Sequence, residues 1–284
     1  MSSALRIAIG SFGRVALLDM DRPLVKHAHQ QCHVLLKVEG ADTEFDVGGT
    51  RVPLTDDSAV LINAWEHHSY VHRDGQPPTI ILALYIEPTW LGSFRGNWQA
   101  SAGPGFFPRP GGAITPQIRR QVGATAEAMV QAPGDAAAHE QLIGRLMISI
   151  IERLALWREA QPSLRARAKA MRAPDRRIAR ALALMREDPV RITSMDWLAR
   201  EIGLSRAHFF RLFEAETGLS PRIYLNTQRV ERAVQAVASE ARSFVAISEE
   251  LGFSVPAHFS RFFHDHAGSS PRTFRDVTAL RDKA

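Results

Sequence analysis

Residues 203–222, GLSRAHFFRLFEAETGLSPR, and residues 252–272, GFSVPAHFSRFFHDHAGSSPR, are one unit written twice. His208, Phe209, Arg211, Phe213, Gly218, Ser220, Pro221 and Arg222 return at an offset of 50 as His258, Phe259, Arg261, Phe263, Gly268, Ser270, Pro271 and Arg272. Gly203 and Gly252 are 49 apart, so the second copy has one extra residue ahead of its histidine. Each copy reads as two helices around a tight turn. In the first, Thr193 with Asp196 predicts a capping box opening a helix over SMDWLAREI, Gly203 offers the left-handed conformation that ends it, and Ser205 caps the next helix. Phe209, Leu212 and Phe213 then share one face, with Arg206, Phe210 and Arg211 elsewhere. In the second copy SFVAISEE, the Leu251-Gly252-Phe253 turn and VPAHFSRFF take the same parts, with Phe259, Phe262 and Phe263 inward.

Between the two units, Ser220-Pro221 is an N-cap followed by a first-turn proline, which predicts a helix running to about Ala238. About 18 residues at ~1.5 Å each make a rod of ~27 Å, comparable with the ~34 Å repeat of the DNA duplex. The second helix of such a unit, about 10–12 Å across, fits a major groove ~12 Å wide. Two units on one rod can then enter successive grooves on one face, which gives the duplication a purpose.

Charge points the same way. The chain has 284 residues and a formal net charge of +5. Residues 1–160 carry 14 Lys and Arg against 16 Asp and Glu, whereas residues 161–284 carry 21 against 14. A near-neutral half joined to a basic one suggests a polyanionic partner. The single cysteine, Cys32, cannot form an intramolecular disulfide, so a reducing cytoplasm suffices. Arg14 interrupts the apolar N-terminal stretch, and no run approaches the ~18 apolar residues of a membrane span.

The succession LAREIGLSRAHFFRLFEAETGLSPRIYL and VAISEELGFSVPAHFSRFFHDHAGSSPRTFR resembles the DNA-binding domain of the AraC/XylS transcriptional regulators, over roughly residues 175–277. The resemblance implies base contacts from the exposed faces of both recognition helices: Arg206, Ala207, Phe210 and Arg211 in the first unit, and Ala257, His258, Ser260 and Arg261 in the second. Arg211 and Arg261 occupy the same place in each copy and can grip guanine or hold phosphate. Phe210 replaces the polar residue often found there, leaving thymine-methyl contact and packing both open. The two alanines imply some reliance on DNA shape.

Residues 5 to about 100 alternate apolar and polar over short runs, as in HVLLKVEG, SAVLINA and TIILALYIE, which predicts a compact β-sandwich or barrel. Six of the eleven histidines lie between His27 and His72. HAHQQCHVLLKVEG is similar to the first cupin motif, with His33 where a glutamate usually stands, and DDSAVLINAWEHHSY to the second, with His68 at its histidine. His27, His29 and His33 share parity, so an unbulged strand would aim all three at one face. With His68 they could hold a divalent metal, but regulators that resemble cupins tend to have lost metal chemistry, so the resemblance points first to the wall of an effector pocket, with ordinary strand or surface histidines the remaining reading. Trp65, Tyr70, His72 and Tyr85 are candidate walls of that pocket, although an aromatic in a β-barrel more often packs in the core. No cofactor is required by the resemblance. From Thr115 the composition turns helical, and Leu142, Ile143, Leu146, Met147, Ile150, Ile151 and Leu154 form a stripe wide enough to bury; it suits a core helix packed on the barrel, or the helix that pairs two protomers in regulators of this plan, the reading favoured here. EAQPSLRARAKAMRAPD, polar and Arg-rich, marks a linker.

The expected molecule is a two-domain α+β protein. Residues 1–160 form a β-barrel, cupin-like sensor and dimerisation domain with accessory helices over about 115–160. Residues 161–174 link it to an all-α double helix-turn-helix domain over 175–284. The expected function is a cytoplasmic, non-enzymatic regulator that binds double-stranded DNA under control of a small-molecule effector, as a homodimer, with RNA polymerase a further partner of the family's activators. Two alternatives stay open: a metal-dependent cupin enzyme, and an architectural DNA binder that senses nothing.

Overall fold

The computed structural model describes residues 2–155, 175–239 and 242–278. The expected linker, 161–174, lies outside the described residues. Nine strands come first: β1 (Ser3–Gly10), β2 (Gly13–Met20), β3 (Cys32–Gly40), β4 (Thr43–Val47), β5 (Thr50–Leu54), β6 (Ser58–Ile62), β7 (His68–Val71), β8 (Thr79–Ile86) and β9 (Gly111–Ala113). They form a six-stranded sheet ordered β1-β2-β8-β3-β6-β9 and a three-stranded sheet ordered β5-β4-β7. Every paired neighbour is antiparallel. The run of long strands stops earlier than the alternation suggested, with only the short β9 beyond it. β8 ends at Ile86, and Pro88, which cannot donate to a ladder but suits a first helical turn, opens α1 (Pro88–Phe94).

Strand parity divides the six-stranded sheet into two faces. Val15 and Leu17 of β2, Val34 and Leu36 of β3, and Leu82, Leu84 and Ile86 of β8 share a core with α1, α2 (Pro116–Gln131) and α3 (Ala136–Leu154). The intervening residues Ala16, Leu18, Leu35, Ile81, Ala83 and Tyr85 face the three-stranded sheet. The stripe on α3 belongs to the first of these cores: Ile143, Leu146, Met147, Ile150 and Ile151 are each 0% exposed. Its apolar residues therefore pack within their own chain, because a strand layer this apolar must be covered, and they are not a free face for pairing protomers.

The C-terminal part is helical throughout its described residues: α4 (Arg176–Glu187), α5 (Met195–Glu201), α6 (Arg206–Thr217), α7 (Pro221–Ser239), α8 (Phe244–Glu250), α9 (Pro256–Ala267) and α10 (Pro271–Thr278). α7 is the rod between the two repeats. Arg229 on it donates to the carbonyls of Pro189 (3.2 Å) and Ile192 (2.9 Å), tying the first unit down. Arg275 on α10 donates to the carbonyls of Val237 (3.0 Å) and Arg242 (2.8 Å), tying the second.

The core of the second unit is continuous with that of the β-domain. Val230, Ala233, Val234 and Val237 of α7, Ile247 and Leu251, Phe259 and Phe263 of α9, and Phe274 of α10 join the same buried cluster as the inner face of the β-domain. Truncating Phe263, fully buried there, should cost about 3–5 kcal/mol in denaturant unfolding of Phe263→Ala. A loss under about 1 kcal/mol would contradict this packing.

Candidate nucleic-acid interface and effector site

Both helix-turn-helix units are built by local capping. Ser194, not Thr193, caps α5: its backbone is extended (φ −157°, ψ 158°) and its side chain accepts from Trp197 N–H at 3.0 Å. Asp196 does not reach back to the cap but pairs with Arg206 at 2.6 Å. Gly203 takes φ 72°, and Ser205 caps α6 by accepting from His208 N–H. Gly218, at φ 74°, ends α6 in the left-handed conformation that a side chain would strain. In the second copy the extra residue changes the start: Val255 gives no side-chain cap, and Pro256 supplies the first turn of α9 instead.

Phe209 and Phe213, and likewise Phe259 and Phe263, point into their cores, while Leu212 and Phe262 are only half-buried. The opposite faces are open. Arg206, Ala207 and Arg211 are exposed on α6, as are Ala257, His258, Ser260 and Arg261 on α9. Phe210 is half-buried, edge-on to Phe209 with ring centroids 5.9 Å apart, and the Arg206 guanidinium sits 5.5 Å from its ring. Arg206 thus rests against Asp196 and Phe210 while its remaining N–H groups stay open to solvent.

The β-domain docks on α7. The Thr227 hydroxyl shares its one proton between two carbonyls, that of Ala28 across the seam at 3.1 Å and that of Ile223 within α7 at 2.9 Å. Trp65 stacks on Tyr224 with centroids 4.7 Å apart and planes 12° apart. Trp65 is at φ 62°, a strained position for an aromatic residue, and its N–H donates to the carbonyl of His29 at 2.7 Å. Near the other end of the seam, α10 lies along β1, and His264 on α9 donates through Nε2 to the carbonyl of Ser2 at 3.3 Å.

Four histidines meet beneath α7. His33 lies on the inner face of β3, and His68 starts β7. His27 and His29 precede β3 instead of extending it. His27 and His68 form an isolated bridge, exchanging backbone hydrogen bonds of 2.9 and 2.8 Å. The turn ahead of His68 is fixed by Asn63, whose backbone and side-chain N–H groups both donate to the Glu66 carboxylate, at 3.0 and 3.1 Å. Ring centroids in the cluster are close: 4.4 Å for His27 and His68, 4.9 Å for His27 and His29, and 5.2 Å for His29 and His33. Burial draws His33 and His68 down to about 3 and takes His27 and His29 well below the ordinary 6.5, which favours the neutral form of each ring.

The other expected pocket residues separate. Tyr85 stacks on His33 at 4.1 Å and belongs with the cluster. It also lines a cavity of about 570 Å³ with Arg14, Gln31, Glu87, Glu231 and Val234, between the β-domain and α7. Trp65 lines a second cavity, about 750 Å³, with Leu182 and Tyr224. Tyr70 is a core residue, 1% exposed, 5.2 Å from the ring of Phe45 and 3.3 Å from His72. Arg14 and Glu231 were not anticipated. Arg14 was noted only as a break in an apolar run, and Glu231 lies among the valines of α7, where a lone acid carries no local signal of what it faces. The Arg14 guanidinium sits over Tyr85 at 4.0 Å, and the Glu231 carboxylate lies 3.9 Å from His29 Nδ1. Burial raises the Glu231 carboxyl above its usual range, and Arg14 opposes the shift.

Comparison with known proteins accounts for both halves. The AraC-like ligand binding domain model matches residues 20–147, and a helix-turn-helix domain model matches residues 198–276. An uncharacterized HTH-type transcriptional regulator of Haemophilus influenzae is 30% identical over 106 residues, 37% of this chain and 36% of that protein. The chain spans about a third of the length of that relative and less of the next two. The HTH-type transcriptional activator RhaS of Salmonella schwarzengrund is 22% identical over 252 residues, 87% of this chain and 86% of RhaS. An apo ToxT variant from Vibrio cholerae shares the fold, with a TM-score of 0.55 over 96% of this chain and 100% of ToxT at 12% identity. The chain therefore carries a module similar to the AraC-like ligand binding domain over residues 20–147 and a helix-turn-helix module over residues 198–276, and the match to RhaS runs across both.

Proposed function

We propose that this regulator reads DNA with the open faces of α6 and α9, and that a small-molecule effector acts at the seam where the β-domain grips α7. One observation carries the reading: α7 is both the rod joining the two helix-turn-helix units and the surface on which the β-domain docks. Whatever changes that docking changes how the two reading helices are held. An effector does this only if it binds one arrangement more tightly than the other. The two cavities along the seam, lined by residues of both domains, suit such a ligand.

No catalytic step enters this reading. The rival enzyme needs substrate to reach an open metal position, whereas His27, His29, His33 and His68 are 6, 2, 2 and 1% exposed. The family's further features, a cytoplasmic homodimer that touches RNA polymerase, belong to the same proposal. Among the described residues no helix is long and apolar enough to cross a membrane.

Gel shifts on the DNA upstream of its own coding sequence, against random DNA, test the reading face. Arg261→Ala should lose about 1–3 kcal/mol on the specific site and much less on random DNA; equal losses on both would make Arg261 a phosphate clamp only. If about six phosphates are gripped, specific affinity should fall about 10³-fold between 50 and 200 mM salt. A flat salt response would remove the basic C-terminal half from the interface.

A further inference from the structure

The histidine cluster is over-supplied with lone pairs. His27 Nδ1 lies 2.7 Å from the carbonyl of Val25, and His68 Nδ1 3.1 Å from that of Glu66. A carbonyl can only accept, so each Nδ1 carries its proton and each Nε2 presents a bare lone pair. His29 has no hydrogen-bond partner at either nitrogen, and neither does His68 at Nε2, although both rings are buried. Each such orphan costs about 1–3 kcal/mol in a dry interior. One nitrogen from each of His27, His29 and His68 falls within 4.8 Å of the others. In a tetrahedral site with ~2.0–2.1 Å bonds the ligand nitrogens stand roughly 3.4 Å apart, so the cluster needs only a modest contraction to close on an ion.

We propose that His27, His29 and His68 bind a divalent transition-metal ion of the zinc class through their Nε2 atoms, and that Glu231, reaching in from α7 of the DNA-binding domain, accepts the proton of His29 Nδ1. Val25 and Glu66 orient the other two rings from within the β-domain, while the third ring is oriented by a carboxylate of the opposite domain. Metal-bound imidazoles typically rest on such outer acceptors, whose loss weakens binding about 10–100-fold. At 3.9 Å the His29–Glu231 contact is open; a bound ion makes the His29 N–H a stronger donor and draws α7 in. Neutral imidazoles are the required ligand form, and the Glu231 carboxylate offsets the positive charge of Arg14 nearby. Neighbouring His33, oriented by the carbonyl of Leu84 at 3.0 Å, stands beside the site as a further nitrogen donor. This inference rests on the seam being the control point, and gives that seam an ion-dependent clasp.

The test uses untagged full-length protein, stripped with chelator, dialysed, and titrated with Zn²⁺ and with Co²⁺ as a spectroscopic probe. One equivalent of Zn²⁺ should bind per chain, and Co²⁺ should give the visible absorption of a four- or five-coordinate site. His29→Gln, checked for folding by circular dichroism, should drop to about background. Glu231→Gln should still bind one equivalent, about 10–100-fold more weakly, and should lose most of the metal-induced protection of α7 in amide exchange. Failure of wild-type protein to bind stoichiometric Zn²⁺, or unchanged affinity in Glu231→Gln, overturns the clasp. Gel shifts on the same preparations separate the two proposals. Specific DNA binding without metal binding sinks only the clasp, and metal binding without DNA binding sinks the seam-controlled regulator.

Discussion

The burial of one face of α7 against the β-domain is the contact on which the rest of the molecule depends. Val230, Val234 and Val237 are each nearly or fully buried there, in one cluster with Ala16, Leu18, Ala83 and Tyr85 of the sheet and with Phe259, Phe263 and Phe274 of the second unit. Fully burying such a side chain is worth about 1.5–3 kcal/mol, and because the same valines also pack on the helices of the second unit, only part of that sum holds the two domains together. An effector working at this seam must supply a differential affinity of comparable size, or find an arrangement that keeps most of the apolar contact.

The two helix-turn-helix units are held unequally. The second shares its core with the sheet and lies against β1, so a Cβ on Gly268 would meet the Met20 sulfur at 3.5 Å. The first has its own cluster around Phe209, Phe213 and Leu198, and meets the β-domain through Ala28, the Trp65–Tyr224 stack and the Thr227 hydroxyl. Between these attachments lie the buried histidines and Glu231, where the seam is polar and incompletely paired. A seam that is apolar at one end and under-satisfied in its middle is strong yet adjustable, which is what control of two tethered reading heads requires.

Much of this was legible in the sequence because it is local. The repeat, the glycine stops at Gly203 and Gly218, the Ser205 cap and the Ser220-Pro221 start all follow from rules acting over three or four residues. The same rules missed by one residue at Thr193, because the extended Ser194 stands directly before the helix and can cap it better. The histidines were legible as a set, although His27 and His29 reach the cluster through a bridge to His68 and not along a strand. Tyr70 stays open in the sequence, because an aromatic on a strand looks the same whether it faces ligand or, as it does, Phe45. Glu231 and Arg14 are invisible as site residues: Glu231 meets His29 only when the two domains dock, and Arg14 meets Tyr85, its partner on β8, only once the sheet has formed. The α3 stripe fits a core helix and a pairing helix equally well by its width, and the apolar face of the sheet that it covers decides for the core.

Native-state amide exchange across a denaturant series tests the shared core most directly. If α7 and the second unit are part of one cooperative body with the sheet, the slowest amides of α7, α9, β2 and β8 converge on a single opening free energy as denaturant rises. Exchange of α7 and α9 through a separate, lower-energy opening that leaves β2 and β8 protected would contradict the account.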